Sequence, residues 1–371
     1  MKLNIGCGKE HKEGYINIDI QEPCDLRHDL RTPLPFVDGS VDEIFSEGNV
    51  ICCFSLKEWW NLKKELVRVL GVGGKLEIIL LDFEYVLKAF LDNKDGARWG
   101  LWWRTIFSGQ DNEYNFAKNG FTYEKLVADL FEEGMVDFSR KREVGGDPRF
   151  IHLICYKQSY NQKIKTTMKI LIGTPIHEVK DYSMERWLEN VAKLQKQTPA
   201  DLLMVDNSPG LDYVEKVKGY CEKYGVKNYK IEHLEINQAQ GADERIGRSR
   251  EIIRQEILSH DYDAWFSWEC DQIIPLNTLG KLVQLMEGGN FAMVSQGSWS
   301  RKNPSNPENE LGCALIKRVC LEKYSFLLKD YWDLTQCWHA GARWFKNRLL
   351  KGGDSYVEIC GIITPIYHLN E

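Results

Sequence analysis

The chain has 371 residues, of which 43% are hydrophobic and 27% are charged, and its net charge is −6 at pH 7. This length is enough for two domains with separate cores, and the acidic balance argues against a nucleic-acid partner. No apolar run reaches the roughly 18–20 residues that cross a bilayer, and the 11 cysteines are scattered without C-x-x-C pairs. We therefore expect a cytoplasmic protein with reduced thiols and no transmembrane segment. The composition leaves association with a membrane surface open.

The chain opens with an apolar strand, predicted for residues 2–5, which is followed directly by Gly6-Cys7-Gly8. A second strand is predicted from Tyr15 to Ile20 and carries Asp19 near its end. Glycines after a first strand let the backbone approach a ligand closely, and an acid at the end of the second strand can bind ribose hydroxyl groups. These residues predict a nucleotide-type site at the ends of the first two strands.

Strands and helices alternate through the rest of the first half. An apolar strand is predicted around residues 42–45, a helix over residues 56–70 and a strand over residues 75–81. A closing strand is predicted over residues 152–156. This alternation predicts a mostly parallel, doubly wound sheet that is flanked by helices.

Several segments of the first half, taken in order, carry a family resemblance. LNIGCG, GYINID, LPFVDGSVDEI and ELVRVLGVGGKLEIIL resemble class I S-adenosylmethionine-dependent methyltransferases of the small type found in surface-polysaccharide gene clusters. The resemblance covers residues 1–157 and implies a Rossmann-like domain that binds S-adenosylmethionine. It implies that Gly6 and Gly8 line the methionine side of the cofactor and that Asp19 binds the ribose. It places Asp29 and Leu30 beside the adenine.

The chain departs from this family after the fourth strand. The family usually has a Glu-His pair there, whereas this chain has Cys52-Cys53. Methyl transfer from a sulfonium can proceed by positioning alone, because the methyl group is already activated. Two alternatives therefore stay open: a working methyltransferase, or a domain that has lost catalysis and only docks an acceptor or a partner.

A connector is predicted between the two halves. Residues 158–168 are polar and basic and contain few large apolar side chains, which is typical of a linker. A new apolar strand begins at Lys169. The second domain is therefore predicted to span residues 169–371.

The second half repeats the pattern of apolar strands that end in small or polar residues. Its first strand is predicted to break at Gly173-Thr174-Pro175, and a later one to end at Asp206-Asn207-Ser208. An arginine-rich helix over residues 241–258 precedes a third strand, Asp263–Trp268. Taken alone, this helix fits an exposed surface with salt bridges.

Two acidic residues, Glu269 and Asp271, directly follow the third strand. In an extended chain, residues i and i+2 project to the same side, because the strand period is two. Two like charges at the end of an apolar strand are costly unless a positive group neutralises them, and a divalent metal is the usual solution. A solvated acidic loop is the alternative for an isolated motif of this kind.

The second half resembles GT-A-type glycosyltransferases of the broad family-2-like kind. The resemblance is carried by the TP residues, VDNS, the arginine-rich helix, the acidic tip, LGCALIKRVCLEKYSF and ITPIYHLNE. It spans residues 169–371 and implies a UDP- or GDP-linked sugar donor held with Mn2+ or Mg2+. The nucleotide-sugar contacts that it implies are Thr174, Pro175, Asp206, Arg248 and Arg250. The metal ligands that it implies are Glu269, Asp271 and His368.

The general base is the least defined part of this resemblance. The family usually supplies an acid from a Glu-Asp pair at the start of the penultimate helix, where this chain reads DYWDLTQCWHAGARWFKN. Inverting sugar transfer needs a base beside the acceptor hydroxyl group. Asp333 and His339 are the catalytic candidates in this segment.

The sequence as a whole predicts an α/β enzyme of two domains, each a mostly parallel sheet flanked by helices. The first domain is Rossmann-like and the second is GT-A, and the expected task is transfer of a sugar and a methyl group to a glycan or glycolipid acceptor. A nucleotidyltransferase is an alternative for the second domain, although no G-x-G-T-R-like loop follows residues 169–173. A lectin-like module without enzymatic activity is a further alternative.

Overall fold

The chain folds into two compact units, Met1–Gln162 and Lys163–Glu371. Among the described residues, each unit contains a seven-stranded sheet. The computed structural model describes residues 1–92, 104–110, 114–141, 149–158, 168–296, 298–299, 307–308, 311–327, 341–359, 363 and 366–369. Most of the predicted connector, residues 159–167, lies outside the described residues.

The sheet of the first unit has the strand order β3-β2-β1-β4-β5-β7-β6. The adjacent strands among β1 to β5 are parallel to one another, whereas β7 runs antiparallel to both β5 and β6. The alternating strands and helices of the sequence therefore form the doubly wound arrangement that was predicted. The strands are β1 (Lys2–Ile5), β2 (Ile16–Asp19), β3 (Leu26–Arg27), β4 (Val41–Glu47), β5 (Leu70–Leu81), β6 (Met135–Arg140) and β7 (Phe150–Lys157).

Three helices of the first unit are α1 (Leu56–Val69), α2 (Phe83–Asp92) and α3 (Tyr123–Glu132). Helix α1 begins with a capping box, in which Ser55 and Glu58 satisfy each other's backbone N–H groups. Its fully buried Trp59 donates a hydrogen bond of 2.9 Å to Asp129 on α3. The ring of Trp59 also meets Phe121 edge-on at 5.3 Å. This tryptophan therefore fixes α1 against α3 through both apolar area and a polar contact.

The main sheet of the second unit has the order β10-β9-β8-β11-β16-β13-β17. Strand β16 is antiparallel to β11 and β13, and the other neighbours are parallel. Two short antiparallel ladders pair β12 with β18 and β14 with β15. The strands are β8 (Ile170–Ile176), β9 (Asp201–Asp206), β10 (Tyr229–His233), β11 (Ala264–Trp268), β12 (Gln272–Ile273), β13 (Met293–Gln296), β14 (Ser298–Trp299), β15 (Pro307–Glu308), β16 (Cys313–Lys317), β17 (Tyr356–Ile359) and β18 (Tyr367–His368).

Six helices accompany this sheet in the described part of the second unit. They are α4 (Asp181–Gln197), α5 (Asp212–Tyr224), α6 (Ala242–Ser259), α7 (Thr278–Gly288), α8 (Arg318–Lys323) and α9 (Gly341–Lys351). Helix α5 ends at Gly225, whose left-handed conformation closes the helix in the way that favours glycine. Both sheets are mostly parallel and helices alternate with strands, which confirms the predicted fold class.

Strand β8 is longer than predicted. The sequence predicts a break at Gly173-Thr174-Pro175, yet β8 continues to Ile176 and pairs with β9 along this stretch. Strand β11 pairs with β8 only as far as Gly173. Beyond that point β8 is an edge strand on the β11 side, and a proline is tolerated where no neighbour requires its N–H group.

The core of the second unit is built on Trp265, which is fully buried in β11. Its indole N–H donates to the carbonyl of Gly173 at 3.0 Å, and its ring meets Phe326 edge-on at 5.4 Å. Phe326 in turn stacks on Phe345 of α9 at 4.6 Å. A β-carbon on Gly173 would lie 2.4 Å from Ile253 and 2.6 Å from the Trp265 nitrogen. Gly173 is therefore required by packing.

We expect Gly173→Ala to destabilise the second unit by about 1–3 kcal/mol, the usual range for an overpacked core. Gly219→Ala is the matched control, because Gly219 lies inside α5 and a β-carbon there meets no atom within 4 Å. Helix propensity predicts that the free energy of unfolding of the control variant rises by about 0.5–1 kcal/mol. Thermal unfolding of the full chain measures both. Equal melting temperatures for the two variants would contradict this account of the core.

Candidate functional site

A cavity of about 320 Å³ lies at the carboxyl ends of the strands in the first unit. Strand β1 has β2 and β3 on one side and β4 and β5 on the other. Ligands of open α/β sheets bind at such a switch point, outside the carboxyl ends of the strands. All five residues that the sequence analysis assigns to the cofactor line this cavity: Gly6, Gly8, Asp19, Asp29 and Leu30.

The backbone after β1 turns sharply at Gly6. This residue has a φ of +65°, a left-handed conformation that favours glycine, and its N–H donates to the Ile18 carbonyl at 2.8 Å. A β-carbon on Gly6 would lie 2.3 Å from the side chain of Val50. Gly6 is therefore fixed by both its conformation and its close approach to the segment after β4.

Asp19 connects the two glycines to the end of β2. One oxygen of its carboxylate accepts the Gly8 N–H at 2.9 Å, and the other accepts the Gln21 N–H at 2.9 Å. Gly8 has a φ of +52°, and a β-carbon there would meet no atom within 4 Å. The space beside Gly8 is therefore open to a ligand, and the carboxylate of Asp19 lies at its edge.

The far end of the cavity is formed by Asp29, Leu30 and Arg31. The Arg31 guanidinium pairs with the Asp29 carboxylate at 2.9 Å, and this hydrogen bond lowers the pKa of Asp29. Leu30 is almost completely buried and gives the cavity an apolar wall. An apolar wall, open glycine backbone and a carboxylate fit the adenosine and ribose parts of S-adenosylmethionine.

The cysteine pair occupies two different environments. Cys53 lines the cavity, whereas Cys52 is buried and its carbonyl accepts the N–H groups of Lys118 and Asn119. Burial raises the pKa of Cys52 to about 12 and also raises that of Cys53. Both thiols are therefore protonated at neutral pH, and neither is a ready general base.

A smaller cavity of about 120 Å³ lies at the equivalent edge of the second sheet. It is lined by Pro175 and Ile176 at the end of β8, Asn207 after β9, and Glu269 and Cys270 after β11. Strand β8 has β9 and β10 on one side and β11 on the other. This cavity is therefore also at the switch point of its sheet, where ligands are expected.

Three cationic side chains line this second cavity: Lys180, Arg245 and Arg250. Arg245 is held in place, because its guanidinium donates to the carbonyls of Gln238 at 3.1 Å and Gln240 at 2.7 Å. This concentration of positive charge suits a phosphate group.

Not every predicted nucleotide-sugar contact reaches the second cavity. Pro175 and Arg250 line it, whereas Thr174 is buried within β8 and Arg248 does not belong to the lining. Arg248 points along the outside of α6 and pairs with Glu244 at 2.7 Å, one helical turn away. Of the two arginines singled out by the sequence, Arg250 is the one at the cavity.

Asp206 is fully buried behind the cavity wall. One carboxylate oxygen accepts from the N–H and the hydroxyl of Ser208, and the other lies 2.8 Å from Nδ1 of His233. Asp206 therefore fixes the ends of β9 and β10. It also positions the next residue, Asn207, which lines the cavity. A direct contact between Asp206 and a nucleotide stays a prediction.

The acidic tip differs in conformation from the prediction. Residues 269–272 form a turn, closed by the Gln272 N–H on the Glu269 carbonyl at 3.1 Å, so the two carboxylates do not project from one extended face. Glu269 lines the cavity and accepts from the Gln272 amide at 3.1 Å. Asp271 is fully buried and accepts from the Lys180 ammonium at 2.9 Å.

His368 approaches the acidic tip through the β12–β18 ladder. It is the register partner of Gln272, and the next residue, Leu369, donates its N–H to the Asp271 carbonyl at 2.8 Å. Within the described part of the chain, however, no three His, Cys, Asp or Glu side chains are grouped to hold a metal ion. The predicted set of Glu269, Asp271 and His368 therefore does not fit a metal centre as these residues stand.

The remaining predicted residues, Asp333 and His339, lie outside the described residues. Sequence reasoning missed Lys180, Arg245 and Asn207 at the second cavity. Asn207 and Lys180 follow parallel strands, so the rule that such strands end at one edge was a usable signal for both. For Arg245 the sequence offered only its membership of the arginine-rich helix.

Comparisons with known proteins give matches among solved structures. No protein-family model matches the chain, and no curated protein matches it either. Solved structures similar to it include a SAM-dependent methyltransferase from Methanosarcina mazei, with 20% identity, 42% of this chain and 92% of that chain covered, and a TM-score of 0.30. They also include S. aureus TarS, with 15% identity, 52% and 35% coverage and a TM-score of 0.38.

A third similar structure is the mannosyltransferase PcManGT from Pyrobaculum calidifontis, solved in complex with GDP-Man and Mn2+. It shares 12% identity, with 54% of this chain and 57% of that chain covered, and a TM-score of 0.41. This chain thus spans about a third of TarS and little more than half of PcManGT. At these identities the strand orders, and not the similarities, carry the argument on fold. No described helix is long and apolar enough to cross a membrane.

Proposed function

We propose that the second unit binds a nucleotide sugar and transfers its sugar to a glycan or glycolipid acceptor. The observation that carries this proposal is the position of Lys180, Arg245 and Arg250 around a cavity at the switch point of the sheet. A nucleoside diphosphate is the leaving group of such a donor and carries several negative charges. Cations fixed before the reaction stabilise this leaving group without reorganisation.

The other predicted residues have consistent positions in this proposal. Asn207 and Pro175 form the wall on the β8 and β9 side, where the nucleoside would lie, and Asp206 orients that wall from behind. Asp333 or His339 would accept the proton of the acceptor hydroxyl group. UDP and GDP are the proposed nucleotides, and a membrane-surface acceptor is compatible with the proposal.

We further propose that the first unit binds S-adenosylmethionine, which supplies an activated methyl group when bound. Gly6 and Gly8 would approach the methionine part, Asp19 would accept from the ribose, and Asp29 with Leu30 would enclose the adenine. The cavity of about 320 Å³ that these residues line is within the range of small-ligand sites. The whole chain would then be a bifunctional glycan-modifying transferase.

A docking role without turnover is the second candidate for the first unit. The protonated thiols of Cys52 and Cys53 favour it, because they stand where the resembling family has a Glu-His pair. Cofactor binding without methyl transfer to any glycan would support this candidate.

For the second unit, we expect slow release of free nucleotide from one member of a panel of UDP-, GDP- and CMP-sugars, because water replaces a missing acceptor in many transfer reactions. Coupled detection of the released nucleotide measures it. Pyrophosphate formation from a nucleoside triphosphate and a sugar phosphate would instead indicate a nucleotidyltransferase. If the folded protein releases no nucleotide from any donor of the panel, the proposal is contradicted.

The two arginines of α6 provide a matched pair. We expect Arg250→Ala to weaken binding of the nucleoside diphosphate by roughly 10- to 150-fold, since a charge-assisted hydrogen bond contributes roughly 1.5–3 kcal/mol. Arg248→Ala should leave the dissociation constant unchanged, because Arg248 pairs with Glu244 outside the cavity. Isothermal titration calorimetry checks both. An equal loss of affinity in the two variants would show that the overall positive charge of α6, and not the position of Arg250, determines binding.

For the first unit, we expect Gly6→Ala to abolish binding of S-adenosylhomocysteine, because the new β-carbon clashes with Val50 in the cavity wall. Gly14→Ala is the control: Gly14 has a φ of +79°, so it carries similar backbone strain, but it does not line the cavity. Calorimetry on both variants separates a local effect from a loss of stability. Unchanged affinity in Gly6→Ala would argue against this cavity as the cofactor site.

A further inference from the structure

The ammonium group of Lys180 lies where the predicted metal ion was expected. Lys180 ends a short 3-10 turn after β8, directly before α4, and its Nζ is 2.9 Å from Oδ2 of Asp271. Asp271 is fully buried, whereas the Lys180 side chain is 37% exposed and lines the cavity. The cation therefore separates the buried carboxylate from the ligand space.

The ammonium lies beside two carboxylates. Its Nζ is 2.9 Å from Oδ2 of Asp271, and Glu269 lines the same cavity as Lys180. Nearby opposite charges favour the charged form of a lysine.

Asp271 is held by the backbone around it. Its carbonyl accepts the Leu369 N–H at 2.8 Å, and the fully buried Trp268 donates its indole N–H to the next carbonyl, that of Gln272, at 2.9 Å. The carboxylate is thus an anchor of fixed position for Lys180. Within the described part of the chain, Asp271 is the one hydrogen-bond acceptor of this ammonium. Two of its three N–H donors are therefore available to a ligand.

The ammonium contacts Oδ2 of Asp271, so a divalent ion bound to the same carboxylate would lie close to a second cation. Two cations within hydrogen-bond distance of one carboxylate repel each other strongly in a partly buried site. The side chains that a metal ion needs in addition are not grouped around it among the described residues. The positive charge of Lys180 therefore opposes binding of a divalent metal at Asp271.

We propose that Lys180, anchored by Asp271, supplies the positive charge that faces the diphosphate of the donor, so that the second unit binds its nucleotide without a divalent metal. This inference rests on the proposed sugar transfer. In that reaction the bond between the anomeric carbon and the β-phosphate oxygen breaks, and its electron pair leaves on the nucleoside diphosphate. The acceptor oxygen bonds to the anomeric carbon and gives its proton to the base. Lys180 donates hydrogen bonds to the departing phosphate.

The test is calorimetric binding of UDP and GDP to the full chain, first in EDTA and then in excess Mn2+. We expect one nucleotide to bind with the same dissociation constant in both conditions. Lys180→Met should weaken this binding about tenfold or more, because a charge-assisted hydrogen bond to phosphate is lost. Lys180→Arg keeps the charge and should retain most of the affinity.

Two further variants separate binding from stability. Lys193→Met is the matched control, because Lys193 is an exposed residue of α4 that pairs with Glu189. It should leave the affinity unchanged. The double variant Lys180→Met/Asp271→Asn removes both charges, so the buried negative charge does not remain when the lysine is removed. It should fold and show the same loss as Lys180→Met.

Each result separates this inference from the proposed function. Affinity that needs Mn2+ and does not change in Lys180→Met would overturn the inference and leave nucleotide binding intact. Absence of UDP and GDP binding in both conditions, from a protein with a cooperative thermal transition, would overturn the proposed function and the inference with it.

Discussion

The polarity of parallel strands determines where chemistry is possible in this protein. In each unit the first strand, β1 or β8, has a parallel neighbour on each side. The connections that follow these strands therefore run to opposite sides at the carboxyl edge of the sheet. A crevice opens there, and residues from segments far apart in sequence end beside one another. Gly8 beside Asp19 in the first unit, and Lys180 beside Asp271 in the second, are consequences of this single constraint.

Most of the fold follows from local patterns in the sequence. The bounds predicted for β1, α1 and β11 match the structure to within one residue. The spacing of apolar residues and the helix-capping residues determine these bounds locally. The end of β8 was predicted wrongly, since the tolerance of Pro175 depends on where β11 stops pairing with β8. That information is in the tertiary structure and not in the residues near the proline.

The candidate sites divide in the same way. Gly6, Gly8 and Asp19 belong to a short glycine and acid pattern, whereas Asp29 and Leu30 came from the family resemblance, and all five line the cavity. For the second cavity, helix geometry alone does not predict that Arg250 lines the cavity and Arg248 does not. At 100° per residue, Arg248 lies closer to Arg245 around the helix than Arg250 does. The pairing of Arg248 with Glu244 decides the outcome.

The acidic tip shows why a motif alone does not define a metal site. An i, i+2 carboxylate pair binds one ion when the chain is extended, but the turn at residues 269–272 directs Glu269 to the cavity and Asp271 into the core. A buried carboxylate needs a compensating cation, and a lysine 91 positions earlier provides it. A covalently attached cation cannot dissociate, so the charge facing the ligand space is independent of the metal concentration. Its hydrogen bond to Asp271 also holds this charge at one side of the cavity.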